Sequence, residues 1–439
     1  MGRTRGEVAV GTQAAAISVF ALSYGAIVSG RVHRTIAAIG GAAAMGLFVF
    51  RGDGLLEAVN WDTVLFLFGM MVVVATLEHA GMFRWLGLHA ARWARLDALR
   101  LFVALPLLAA GLSAFVDSIT VMLFLSALTV EVARAARVSA FPLIVAEITA
   151  ANIGGAATMV GDPPNVILGT HFGLSFGDFA LGTGPLALAA LAADIGVLLF
   201  LFRGEIRRSR ERFAERPAER LRAVALLEPR EAIEDPTLLR IGGAALAAVV
   251  ALLLTHARTG IPVGVVGVAG AMVVLLLGGP RHRMPAILES IDWSTLAFFG
   301  ALFLIVGGLE STGALAAAAG WIRGLGGGPA AVLTFLIWTA ALGSSLVDNV
   351  PFAATMAPLI EHLAAGGLPL RALVWAAAAG ADVGGNATPI GGSANVVGLA
   401  TYERATGERV RWAGYLRAAV PATAASVLVM HGLLLALHA

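Results

Sequence analysis

The chain has 439 residues, 58% hydrophobic and 13% charged, about half the charged share of an ordinary soluble domain. Together with a mean hydropathy of +0.85 this excludes a soluble globular protein. The net charge of +2 is uninformative in sum, since what matters in a membrane protein is which loops hold the charge. No nucleic-acid partner is expected, and the absence of cysteine excludes a disulfide framework, a thiolate metal site and a cysteine nucleophile.

At roughly 20 residues per crossing, the length allows about ten or eleven spans and leaves no room for a separate soluble domain. The first apolar stretch, 8–28, is longer than a signal-peptide core and lacks a small-residue cleavage site, so it is expected to be a retained span. Further apolar runs follow at 35–50, 61–79, 99–136, 141–170, 181–202, 239–256, 261–279, 293–309, 329–362, 371–401 and 414–437.

The runs 99–136 and 329–362 are long for one crossing and hold polar breaks at Asp117-Ser118 and Asp348-Asn349. Each is expected to be a re-entrant helical hairpin, because irregular backbone at membrane depth survives only inside protein or beside a watery cavity. Between the runs, 203–240 is the long hydrophilic stretch, mixed in sign, and reads as a solvated cytoplasmic Arg/Glu-rich linker with room for an interfacial helix. It separates a first repeat, 1–202, from a second, 241–439.

This topology is scored by charge, since every cationic residue other than histidine is arginine. One face then holds 24 arginines, Arg31, Arg34 and the ten of the linker among them, and the other holds 6. The positive-inside rule makes the rich face cytoplasmic, which puts both termini outside the cytoplasm.

An internal repeat is visible by eye. Val59-Asn60-Trp61-Asp62-Thr63 resembles Ile291-Asp292-Trp293-Ser294-Thr295, and Phe115-Val116-Asp117-Ser118 resembles Leu346-Val347-Asp348-Asn349. Asn152 to Thr158 matches Asp382 to Thr388, and Pro164-Asn165-Val166 matches Ala394-Asn395-Val396. An odd number of crossings per half turns the second half upside down. The expected fold is therefore an all-α membrane protein of two inverted repeats, each with a re-entrant hairpin and a discontinuous helix, the sequence signature of alternating-access carriers.

The breaks carry the chemistry. Within 141–170 the stretch from Gly154 to Asn165 holds glycines, Asp162 and the pair Pro163-Pro164, which cannot continue a helix. Its counterpart in 371–401 runs from Gly384 to Asn395. Such breaks free carbonyls that suit a cation and amides that suit an anion. Asn152, Gly155, Thr158, Asp162 and Asn165 in the first half, and Asp382, Gly385, Asn386, Thr388, Ser393 and Asn395 in the second, are the expected ion or substrate contacts. The hairpin tips add Asp117, Ser118, Thr120, Asp348 and Asn349. A carboxylate deep in a membrane costs about 2.5–3.5 kcal/mol on insertion scales, so it is kept where it pairs, protonates or binds an ion. Asp117, Asp348 and Glu147 are the expected proton-coupling residues. A coupling sodium ion is expected at Asp117, Thr158 and Asn165 and at Asp348, Thr388 and Asn395. Asp also caps helices well, so each tip carboxylate is expected to cap the returning helix too. Asp194 and Glu310 are left outside the site. There is no phosphate loop and no nucleophile paired with a base, so neither an ATPase nor an intramembrane enzyme is expected, and no cofactor beyond a coupling sodium ion or proton.

The stretches Asn152 to Asn165 and Phe115 to Met122, with Asp348 to Pro358 and Gly384 to Val397, resemble the ion transporter superfamily. The likeness is to its branch holding the P protein (pink-eyed dilution), NhaD-type sodium/proton antiporters and arsenite-efflux (ArsB-type) permeases. The resemblance implies two re-entrant hairpins, two broken helices and a homodimer with scaffold and transport domains. It also implies contacts at Asp117, Ser118, Thr120, Gly155, Thr158, Asn165, Asp348, Asn349, Gly385, Asn386, Thr388 and Asn395. The dicarboxylate branch carries Ser-Asn-Thr at both tips, where this chain has Asp117 and Asp348-Asn349-Val350. The departure favours the proton-exchanging branch. The expected function is proton-linked antiport or efflux across the inner membrane, of sodium/proton or arsenite/antimonite type, with a soluble ATPase partner in the arsenite case. A sodium- or proton-coupled carrier of citrate-like dicarboxylates and an ion channel are the alternatives.

Overall fold

The structure is a computed structural model and describes residues 5–51, 54–214, 222–278, 284–324 and 328–438. Among the described residues there is no strand, and eight helices are long and apolar enough to cross a membrane. Four shorter apolar helical segments, 34–50, 98–113, 140–155 and 263–277, accompany them.

The first half comprises α1 (Arg5–Ser29), α2 (Arg34–Met45), α3 (Trp61–His79) and α4 (Met82–Trp93). The expected hairpin follows as α5 (Ala98–Ser113) and α6 (Ser118–Ala136), the broken helix as α7 (Ala140–Gly155) and α8 (Pro163–Phe172), and then α9 (Phe176–Ala214). The second half comprises α10 (Pro236–Thr259), α11 (Val263–Leu277), the short α12 (Met284–Glu289), α13 (Trp293–Ser311) and α14 (Ala314–Gly324). Its hairpin is α15 (Gly328–Leu346) and α16 (Asn349–Ala365), its broken helix α17 (Leu370–Gly384) and α18 (Ser393–Thr406), and α19 (Trp412–His438) ends it.

The repeated pentapeptide has a local cause. Asn60 Oδ1 accepts from the Thr63 amide at 3.1 Å, and Asp292 Oδ1 accepts from the Thr295 amide at 2.9 Å, so both motifs cap a helix start. Such a cap is worth about 1 kcal/mol. The indoles of Trp61 and Trp293 each donate to a carbonyl five residues back, Leu56 at 3.0 Å and Leu288 at 3.2 Å, fixing the entry angle of α3 and α13.

Packing also occurs twice, with helices exchanged between the halves. α3 packs on α11 and α13 packs on α2; α5 packs on α7 as α15 does on α17; α6 packs on α18 as α16 does on α8. Close approach needs missing side chains. A Cβ on Gly154 would lie 2.2 Å from the Ala110 carbonyl oxygen, and one on Gly384 would lie 2.3 Å from Ala341 Cα. The contacts fall into two sets, one of α1–α3, α10, α11 and α13, the other of the hairpins, broken helices, α9 and α19.

The linker is partly helical. Helix α9 continues through 203–214, and Asp235 caps α10 inside the stretch read as solvated. Residues 229–235 dock on the turn between α3 and α4: the Glu234 amide donates to the Ala80 carbonyl at 3.1 Å, and the Ala232 carbonyl lies where a Cβ of Gly81, at φ +82°, would sit. Residues 215–221 of the linker lie outside the described ones.

Candidate functional site

Each broken helix ends its first segment on glycine and restarts after an extended residue, Asp162 or Gly392, with no side-chain cap. Asp162 precedes Pro163 and Pro164, whose fixed φ suits a helix start and whose missing N–H groups would be unbonded there anyway. The second restart, Gly392 to Ala394, keeps its amides. An asparagine one turn on closes each break. Asn165 Nδ2 donates to the carbonyls of Gly155 at 3.0 Å and Thr158 at 2.9 Å, and Asn395 Nδ2 donates to those of Gly385 and Thr388, both at 2.8 Å. Thr158 and Thr388 tie the breaks to the hairpins, their hydroxyls donating to Ala114 O at 2.5 Å and Ser345 O at 2.6 Å. These contacts occupy the Nδ2 atoms of both asparagines and the hydroxyls of both threonines, while Asn165 Oδ1 is buried with no hydrogen-bond partner among the described residues.

A second set of contacts joins the two halves. Asp162 Oδ1 accepts from the Ser118 hydroxyl at 2.7 Å, and its Oδ2 accepts from Asn349 Nδ2 at 3.1 Å. The same Asn349 nitrogen lies 3.3 Å from Asp382 Oδ1. Both carboxyl groups are buried, and Asp382 Oδ2 has no hydrogen-bond partner among the described residues. Behind them Asn152 Nδ2 donates to Asn386 Oδ1 at 2.7 Å and to Asn395 Oδ1 at 2.8 Å, joining the two breaks through a buried amide cluster. Asn386 Nδ2 in turn donates to Thr149 O at 3.1 Å.

A cavity of about 20 Å³ opens beside this cluster, lined by Arg34, Ser118, Asp162, Asp348, Asn349 and Ser393 among others. That is room for one water-sized occupant. A larger cavity of about 200 Å³ lies on the far side of Ile119 and Thr295, between α3 and the first hairpin, with Asp117, Glu78 and Asp292 in its lining.

Asp117 faces that larger cavity and caps α6, accepting from the Thr120 amide at 2.9 Å and its hydroxyl at 2.7 Å. Asp348 caps α16 through the Val350 amide at 3.3 Å. Glu147 is buried against the Thr129 hydroxyl and lines neither cavity. Two residues that the sequence reading set aside enter the network. Arg34, counted there as a loop arginine, opens α2 and lines the small cavity. Asp194 is fully buried and accepts from the Thr149 hydroxyl at 2.7 Å, one residue from the Asn386 contact. A buried aspartate amid an apolar run was the available signal for Asp194. No group of three or more metal-ligating side chains occurs among the described residues.

The model of the CitMHS citrate transporter family matches residues 24–380. The chain belongs to this family. It is a family of transporters, not of enzymes, and this CitMHS chain is an integral membrane protein with several spans. An uncharacterized transporter of Mycobacterium tuberculosis (strain H37Rv) is 37% identical over 421 residues, covering 94% of this chain and 95% of that protein. The 46 kDa membrane protein of Mycobacterium leprae is 34% identical over 422 residues, covering 94% and 96%. The human P protein is 30% identical over 464 residues and covers 87% of this chain, which spans 55% of the P protein's length. Among solved structures the Alcanivorax borkumensis YdaH transporter, with an unusual topology, aligns over 91% of this chain and 95% of its own at a TM-score of 0.56 and 15% identity, a likeness of fold.

Proposed function

We propose that this CitMHS chain is a secondary carrier of the inner membrane that alternates access between two inverted halves and exchanges protons against a small cation or neutral solute, in the manner of a sodium/proton or arsenite carrier. The carrying observation is the single amide of Asn349 set between Asp162, from one half, and Asp382, from the other, at 3.1 and 3.3 Å. Two buried carboxylates with one amide between them repel, and the pair rests only with a proton or another cation on it. Proton and solute cation then compete for one place, the condition for exchange.

Charge supports the same sign. The small cavity is lined by Asp162 and Asp348 against Arg34, and Asp382 lies just behind. Two half-helix starts line it: the one at Pro163-Pro164 lacks the amides an anion would use, and the one at Gly392-Ser393 keeps them. A second reading, coupled transport of a citrate-like anion, is favoured by Arg34 in the cavity wall and by the family's description.

The test uses the full chain in proteoliposomes with an imposed pH gradient, offering sodium, lithium, arsenite and citrate in turn. Sodium, lithium or arsenite is expected to dissipate the gradient, and Asp162→Asn and Asp382→Asn are each expected to slow this by ~100-fold, as for groups that act as a unit. Proton-linked exchange surviving in both variants would sink the reading, and dissipation by citrate alone would select the second.

A further inference from the structure

Arg34 lies outside every repeated motif, and the reading above leaves it without a task. It belongs to the helix set of α2 and α13, yet its guanidinium reaches into the other set. Nη1 donates to Asp348 Oδ2 at 2.8 Å and to the Ser393 hydroxyl at 2.6 Å, while Nη2 donates to the Thr295 hydroxyl at 3.1 Å. The guanidinium carbon stands 5.3 Å from the ring centre of Phe298. One carboxylate oxygen and two hydroxyl oxygens therefore surround a positive group in the wall of the small cavity. Oxygens of this kind are the donors that hard cations take from proteins.

We infer that Arg34 is a tethered cation: it occupies the Asp348 carboxylate while the carrier is empty and is displaced when a mobile monovalent cation takes that carboxylate. The inference rests on the cation-exchange reading and names the residue that sets its affinity. Two consequences follow from charge alone. Asp348 is never left bare in the membrane, since either the guanidinium or the cation faces it, which avoids the cost of an unpaired buried charge. The exchange also removes one fastening between the two helix sets, the one that bonds α2 to the tip before α16 and to the start of α18, and leaves Tyr24 of α1 bonded to Pro351 and Thr355 of α16.

The device belongs to one half. By the offset of the repeated motifs, the place of Arg34 in the second half falls at Gly264 to Val266, where no arginine stands, and the amides of Val263 and Gly264 donate to Asp62 at 3.2 and 2.8 Å. The first tip carboxylate, Asp117, bonds Thr120 instead. The fastening therefore acts on one side of the transport cycle.

A competitor inside the protein lowers apparent affinity by the fraction of molecules in which the place is open, so a site closed nine times in ten binds about tenfold more weakly. The test measures half-saturating sodium for gradient dissipation in proteoliposomes, and for thermal stabilisation of the purified full chain, which reads binding without turnover. Arg34→Gln is expected to lower half-saturating sodium about tenfold in both. Arg34→Lys, which keeps the charge, is expected to stay near wild type. In an Asp348→Asn background, Arg34→Gln is expected to change nothing further. Should Arg34→Gln fail to fold, Thr295→Val loosens the guanidinium without removing it and is expected to shift sodium the same way by a smaller factor. Half-saturating sodium that is unchanged or raised, with wild-type exchange present, overturns the inference alone. So does loss of citrate uptake in Arg34→Gln with an unaltered sodium response, which would make Arg34 an anion ligand. Wild-type protein without any sodium- or lithium-dependent exchange or stabilisation overturns the cation-exchange reading, and the inference with it.

Discussion

Asn349 offers one amide nitrogen to two carboxyl groups, and its place at the first position of α16 puts that nitrogen where the two halves meet. Replacing it by alanine leaves Asp162 and Asp382 without their shared donor, so each loses a hydrogen bond worth roughly 1.5–3 kcal/mol to a charged partner. Asn349→Ala is expected to keep the fold and to slow proton-linked exchange by at least ~10-fold, measured in the same proteoliposomes; unimpaired exchange would remove Asn349 from the coupling site. Asp117 poses a different case. It caps α6 through Oδ1, an atom that asparagine also supplies, and it does not touch the small cavity. Asp117→Asn is expected to leave thermal stability within about 0.5 kcal/mol, whereas Asp117→Ala loses the cap and about 1 kcal/mol. Equal destabilisation by both would mean that the negative charge of Asp117 carries its structural role. Sequence pattern put Asp117 and Asp348 on the same footing because both occupy hairpin tips. Their difference comes from Arg34, 314 residues away from Asp348 in the chain, which no local pattern connects to it.

At the scale of elements, the breaks were legible because Pro163-Pro164 and the paired glycines forbid continuous helix in runs otherwise apolar enough to span. The helices part at those residues, α7 from α8 at 155–163 and α17 from α18 at 384–393. The linker begins as helix: 203–214 is rich in arginine and glutamate, good helix formers whose charge also suits solvent, and α9 runs on through it with Arg207 and Glu211 exposed. The glycines of the broken helices serve packing as well as freedom. Gly154 and Gly384 lie against the backbone of the neighbouring hairpin helix, where a Cβ would come within 2.2 and 2.3 Å of main-chain atoms. Alanine at either position is expected to cost ~1–3 kcal/mol, the usual penalty of overpacking, seen as a lower melting temperature in detergent. Gly111, in α5 with nothing within 4 Å of its Cβ position, is the matched control, and alanine there is expected to be neutral or stabilising by up to about 1 kcal/mol. A melting temperature that falls equally for Gly111→Ala would show that these glycines matter for helix flexibility and not for close approach.

At the scale of the molecule, the exchanged packing of α3 with α11 and α2 with α13 is what an inverted pair of halves would produce, and it gives the proposed carrier a handedness that side-specific chemistry reads out. The larger cavity is lined by Glu78, Ser290 and Asp292, at the ends of α3 and α13 that the arginine distribution assigns to the cytoplasm. At the opposite end of α3, Asn60 and Thr63 bond Thr170 of α8 at 3.0 and 2.7 Å and close the way. On the proposed topology this is an inward-open arrangement. Because the chain has no cysteine, single introduced thiols report without background. Arg210→Cys, on the exposed end of α9, is expected to react with a membrane-impermeant maleimide in inside-out vesicles and not in right-side-out ones. Met71→Cys, in the larger cavity, is expected to share that sidedness, and Thr170→Cys to be protected from both sides until a transported cation is supplied, then to react from outside. Reaction of Arg210→Cys from outside would reverse the orientation drawn from the arginines. Reaction of Met71→Cys only from the side opposite Arg210→Cys would leave the orientation standing and overturn the inward-open assignment, since a cavity bounded by the ends of α3 and α13 nearest Glu78 and Asp292 cannot open to the far face without passing the Thr63–Thr170 contact.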